Sequence, residues 1–207
     1  MRICLLPLFL ATVVRVAHGQ VFFTGETSGK GASSVFAAAN VSRVRDFTTS
    51  ANFWTAYTRG LHDRLDAFIF YGNFTIFGKT QHYAGLGSSV GILKRSRHSV
   101  DLALVSFFST PLNYRDDSAS VSAVFAPVVS RPVRLGRNEM TLYTGYLRSE
   151  FFGQRTGKLF TPPAATHNGI LGAALPICKS LLLIAEYDPG RSQQNLGLAL
   201  LYMLPRK

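Results

Sequence analysis

A period of two is the feature that most limits how this chain can fold. In one short stretch after another, bulky apolar residues alternate with small, hydroxylated or charged ones. From Gln81 to Leu93, Ala84, Leu86, Val90 and Ile92 alternate with Gln81, Gly85, Gly87, Ser89 and Gly91. From Ser99 to Ser109, Val100, Leu102, Leu104 and Phe108 oppose Asp101, Ala103 and Ser109. Residues 118–130 set Val121, Ala123, Phe125 and Val129 against Ser118, Ser120, Ser122 and Ser130. Near the C-terminus Leu196, Leu198, Leu200, Tyr202 and Leu204 oppose Asn195, Gly197 and Ala199. A pleated strand sends successive side chains to opposite faces, so each stretch predicts a strand with one greasy face. Between Arg64 and Phe77 the greasier set is Phe68, Phe70, Phe74 and Ile76, against Ala67, Ile69, Tyr71, Asn73 and Thr75.

The same period recurs less cleanly at 33–42, 51–59, 139–148, 168–176 and 181–187. That gives about ten strands, close in length to the roughly 9–11 residues that a tilted strand needs to cross a bilayer. Hydrophobic residues make up 47% of the 207-residue chain and charged ones only 16%, yet no stretch after the N-terminus is apolar enough for a spanning helix. A sheet in hydrocarbon cannot leave edge N–H and C=O groups unpaired, so it must close on itself. The sequence therefore predicts an all-β, antiparallel, up-and-down transmembrane β-barrel of about ten strands. Its connections near 60–64, 95–98, 131–138 and 177–180 are short, and those at 110–117, 149–167 and 188–194 are longer. Short turns at one end and loops at the other fit such a barrel, although the connections near 43–50 and 78–80 are short as well.

Arg2, the apolar stretch Leu5–Val14 and the small residues of Val16-Ala17-His18-Gly19 form an export signal over residues 1–19, with Gln20 first in the mature chain. Residues 20–32 are rich in Gly, Ser and Thr and are expected to be a periplasmic lead-in, leaving 33–207 as a single barrel domain. The net charge is +11, and losing Arg2 and Arg15 with the signal leaves 11 − 2 = +9. The basic residues sit in turns (Lys94, Arg95 and Arg97; Arg131, Arg134 and Arg137) rather than along one face. That placement argues against nucleic acid and for an anionic membrane surface. Cys4 leaves with the signal, so Cys178 stands alone and no disulfide framework is expected.

Over its mature length the chain resembles bacterial outer-membrane β-barrel proteins. The final strand, Asn195 to Leu204 (NLGLALLYML), resembles the C-terminal strand that such proteins present to their assembly machinery, although Tyr202 is not the last residue. Glu186-Tyr187-Asp188-Pro189-Gly190-Arg191 followed by Asn195-Leu196-Gly197-Leu198 resembles the last hairpin of several uncharacterised barrels. The resemblance implies an outer-membrane location, with outer-membrane lipid, lipopolysaccharide and the assembly machinery as partners. It brings no catalytic residue, cofactor or metal with it.

Asp101 and Glu186 fall on strand faces expected to line the lumen, and Arg59, Glu139 and Arg148 lie near strand ends where they could join them. A carboxylate there needs a partner, because burying it unpaired is costly. The set is either a selectivity ring in a pore or a structural network plugging a narrow barrel, and the small lumen of about ten strands favours the plug. Lys94, Arg95 and Arg97 form a basic turn expected on the periplasmic side, facing water or headgroups. Asp116, Asp117, Glu150 and His167 are the residues a loop-sited hydrolase would need. No nucleophile elbow, HExxH or metal-ligand spacing accompanies them, so no catalytic role is assigned. The expected function is that of a narrow pore or a surface-interaction barrel. The alternative is a soluble lipocalin-like barrel with apolar residues inside, for which Asn52-Phe53-Trp54 lacks the usual Gly-X-Trp glycine.

Overall fold

The computed structural model describes residues 23–44, 49–76, 79–112, 120–136, 138–153, 164–189 and 193–205. They form ten strands: β1 (Ser33–Val44), β2 (Thr49–His62), β3 (Leu65–Ile76), β4 (Lys79–Leu93), β5 (Asp101–Pro111), β6 (Ser120–Leu135), β7 (Asn138–Gly153), β8 (Ala164–Cys178), β9 (Leu181–Pro189) and β10 (Gln193–Met203). Each strand pairs antiparallel with its neighbours in sequence, and β1 pairs with β10, so the sheet is a closed barrel. The predicted strand count and up-and-down order hold. Closure leaves no edge among these strands, which is the condition for a sheet to stand in hydrocarbon.

The turns at 63–64, 94–100 and 179–180 and the β6–β7 connection at Gly136 gather at the end where β1 begins and β10 ends, here the turn end. All three register shifts, at Gly60/His62, Gly91/Leu93 and Pro176/Cys178, lie there too. An extra residue in one strand increases local twist, letting short connections close without splaying the pair. In the β6–β7 turn Gly136 adopts φ +63, a left-handed conformation that suits glycine. Cys178, free and exposed, ends β8 beside the turn at 179–180.

The outer wall is apolar. Leu86, Ile92, Leu104, Phe108, Leu171, Ile177, Leu196 and Leu198 are all exposed on it. This is the reverse of the polar exterior that a lipocalin-like soluble barrel would show. One face assignment made from alternation is reversed. On β3 Phe68 and Phe70 turn inward, 3% and 7% exposed, while Ile69 is 62% exposed on the wall. The reason lies in the partner strand: Phe68 pairs with Gly87 and Phe70 with Gly85. A Cβ at Gly87 would lie 2.5 Å from the Phe68 ring, and one at Gly85 2.4 Å from the Phe70 ring. Glycine beside each ring leaves it room to lie against the sheet inside a narrow barrel. The same device recurs where Tyr83 faces Gly72 and Tyr143 faces Gly172.

Candidate functional site

Inward-facing residues stratify the lumen along its axis. Its middle is apolar. Phe36, Trp54, Phe68, Phe70, Tyr83 and Phe107 pack together from β1–β5, facing Val124, Val128, Leu147, Ile170 and Ile184 from β6–β9. Ring centroids lie 4.6 Å apart for Phe36–Trp54 and 5.3 Å for Phe70–Phe107, the latter edge to face. Such pairs favour defined ring positions over a loosely filled interior. Polar residues cap this layer at both ends: Asp66, Ser89, Asp101 and Ser130 at the turn end, and Ser42, Ser50, Asn52, Asp188 and Asn195 at the loop end.

The N-terminal segment completes the filling. Residues 23–32, within the lead-in of 20–32, fold across the mouth at the turn end. Gly31 donates to the Gly60 carbonyl at 2.9 Å and Gly60 to the Ala32 carbonyl at 2.8 Å. Ser28 N–H donates to Asp66 Oδ2 at 2.7 Å, Lys30 N–H to Asp63 Oδ1 at 3.2 Å, and the Thr27 hydroxyl to the Asp63 carbonyl at 2.8 Å. On the opposite wall Gly25 N–H donates to Ser130 Oγ at 3.1 Å. Phe23 then enters the lumen, its ring stacked on Phe68 at 4.6 Å and on Phe36 at 6.3 Å. The sequence signal for this was weak: two aromatic residues, Phe22 and Phe23, ahead of a polar run.

Two carboxyls in the segment's contacts are perturbed in opposite directions. Burial, followed by repulsion from Asp101, raises Glu26, with Arg95 pulling the other way and Glu139 adding to the rise. The backbone N–H of Lys30 lowers Asp63.

Of the residues expected to form one lumen network, the structure buries Asp101 and Glu186 inside but places them apart. Asp101 sits at the turn end, where its Oδ1 accepts the Arg95 N–H at 2.7 Å and so fixes the turn that carries Lys94, Arg95 and Arg97. Glu186 sits nearer the loop end, where its Oε2 accepts the Tyr143 hydroxyl at 2.8 Å. Arg59, Glu139 and Arg148 do not join them. Arg59 donates to Ser33 Oγ at 2.7 Å at the foot of β2. Glu139 pairs with Arg134 at 3.7 Å beside the β6–β7 turn, and Arg148 with Glu150 at 2.5 Å. Arg59 and Arg148 share the outward faces of β2 and β7 with exposed Tyr57 and Tyr146, so neither reaches the lumen, and Glu139, second residue of β7, is exposed with its charge in water.

His167 is exposed and stacks on Tyr146, its Nδ1 bonded to the phenol, and His82 pairs with Tyr71 in the same way at 2.6 Å. Both pairs lie toward the loop end of the outer wall, where half-polar rings suit the boundary between hydrocarbon and water. Asp116 and Asp117 lie outside the described residues. Among the described residues no group of three His, Cys, Asp or Glu could hold a metal.

Fold and lumen together define the class: a closed, ten-stranded, up-and-down β-barrel with an apolar outer wall. The chain is similar in fold to an outer-membrane channel from Pseudomonas putida, with a TM-score of 0.51 and 11% identity over 86% of this chain and 97% of that one. The β domain of the Bordetella autotransporter BrkA also gives a TM-score of 0.51, with 10% identity over 85% of this chain and 100% of that one. No family model matches the chain, and no curated protein matches its sequence.

Proposed function

We propose that the protein resides in the bacterial outer membrane after cleavage of residues 1–19, and acts there as a closed barrel through its wall and rims. The observation that carries this is the apolar layer across the lumen, joined by Phe23 from the segment over the turn-end mouth. A solute pore needs a continuous polar path, and rings in mutual contact offer none. The narrow-pore alternative is correspondingly weakened. The apolar wall and its Tyr–His pairs suit outer-membrane lipid and lipopolysaccharide, the basic turn at 94–97 suits anionic headgroups on the periplasmic side, and β10 suits the assembly machinery.

The test is reconstitution of the folded barrel, identified by a faster-migrating unboiled band, into planar bilayers. We expect the heat-dependent shift and no unitary conductance steps. Reproducible steps from the unmodified protein would show an open lumen and overturn the proposal.

A further inference from the structure

Charge at the turn end is sorted by radius. Asp66 and Asp101 are buried inside the mouth, and Asp63 Oδ1 accepts the Lys30 N–H of the segment that crosses it. The cations lie outside. Arg59 on β2, Arg64 in the β2–β3 turn, Arg97 in the β4–β5 turn, Arg131 on β6 and Lys179 in the β8–β9 turn are all exposed. None of these five has a carboxylate partner among the described residues, and Arg59 donates to the neutral Ser33 hydroxyl. Other cations at this end are engaged: Arg134 pairs with Glu139, Arg95 stands near Glu26, and Lys94 near Asp63 and Asp66.

The five follow the barrel's circumference from β2 to β9 instead of gathering on one side. A protein partner binds one patch, and the mouth at the centre is covered by residues 23–32. What surrounds every strand at once is lipid. Arg59 and Arg131 share the outward faces of β2 and β6 with exposed Tyr57 and Phe125. Their apolar stems therefore continue the wall while the guanidinium groups reach the headgroup layer. The loop end has no matching set among the described side chains: Arg148 is paired with Glu150, and His82 and His167 with tyrosines. We propose that Arg59, Arg64, Arg97, Arg131 and Lys179 hold a ring of anionic phospholipid headgroups in the leaflet at the turn end. Such a ring requires the membrane location proposed above, and extends headgroup contact from one basic turn to the rim from β2 to β9.

The test is electron paramagnetic resonance on the folded barrel in phosphatidylcholine vesicles carrying a trace of spin-labelled phosphatidylglycerol or spin-labelled phosphatidylcholine. The immobilised fraction of each label measures its association with the protein. We expect phosphatidylglycerol to associate roughly twofold or more strongly in dilute buffer. The difference should vanish in about 1 M salt, where screening leaves a range of only about 3 Å. Arg64→Gln, Arg97→Gln and Lys179→Gln together change turn residues alone and should remove most of the preference. Adding Arg59→Gln and Arg131→Gln should abolish it, while Arg148→Gln with Glu150→Gln should leave it intact. The heat-modifiable band checks that each variant folds. Equal association of both labels in the unmodified protein would overturn the ring, and so would a preference undiminished in the folded triple variant. No immobilised component for either label would overturn the membrane location along with it.

Discussion

Gly172→Ala adds one methyl group to the barrel and puts it where a ring already lies. Its Cβ would stand 2.0 Å from Tyr143 Cζ and 2.4 Å from the phenol oxygen, and no other residue is among its three nearest atoms. Carbon atoms rest at roughly 3.5–4.0 Å, so the ring must shift by more than 1 Å. The 2.8 Å bond from the Tyr143 hydroxyl to Glu186 does not survive that displacement. Losing a hydrogen bond costs about 0.5–3 kcal/mol depending on the charge of its partner, and forcing a ring within a packed interior adds about 1–3 kcal/mol. Alanine's better strand entropy returns roughly 0.5–1 kcal/mol.

The net expectation is destabilisation by about 2–4 kcal/mol. In a Tyr143→Ala background the methyl meets no ring, and Gly172→Ala should then be neutral or stabilising by up to about 1 kcal/mol. The resulting coupling far exceeds the ~0.3–0.5 kcal/mol scatter of independent sites. Urea unfolding in lipid vesicles, followed by the fluorescence of Trp54, the single tryptophan, measures all four corners of the cycle. Equal costs in both backgrounds, or a cost under about 0.5 kcal/mol in the wild type, would refute the ring-over-glycine packing.

Two further outcomes concern the segment over the turn-end mouth. Phe23→Ala removes the stack on Phe68 and should lower the urea midpoint by the equivalent of about 1–3 kcal/mol without abolishing the heat-modifiable band; an unchanged midpoint would mean that the segment does not dock. Protease protection of residues 23–32 should depend on pH with two opposing signs. Glu26, raised on docking, favours docking at low pH and loses that contribution as pH climbs above the ordinary glutamate value, so Glu26→Gln should remove the decline. Asp63, lowered on docking, contributes above the ordinary aspartate value and loses its contribution in acid, so Asp63→Asn should weaken protection at pH 7 and weaken it less as acid protonates the carboxyl.

The strands were legible in the sequence because a one-sided wall writes its period directly into the chain. Leu86, Leu104, Phe108, Leu196 and Leu198 mark the outer face of β4, β5 and β10, and closure follows from the chemistry of hydrocarbon. Asp101 and Glu186 were assigned to the lumen for the same reason, since alternation fixes which residues share a face. Alternation does not fix which face is inside when both are apolar. Phe68 and Ile69 differ little in hydropathy, and only the pairing of β3 with the glycines of β4 turns the phenylalanine inward.

Register with distant strands, rather than sequence, also decided the remaining placements. Arg59 and Arg148 face outward from β2 and β7 and bond to Ser33 and Glu150, and Glu139 pairs with Arg134 beside the β6–β7 turn, so none of them joins Glu186. Phe23 entered the lumen because a mouth framed by Gly60, Asp66 and Ser130 offers hydrogen bonds to the backbone crossing it. The polar layer at the loop end combines Ser42, Ser50 and Asn52 of β1 and β2 with Asp188 and Asn195 of β9 and β10, elements from opposite ends of the chain. The sequence by itself determined a closed barrel with an apolar outer wall. The tertiary structure decided that the barrel is filled, because filling depends on which side chains face one another across strands.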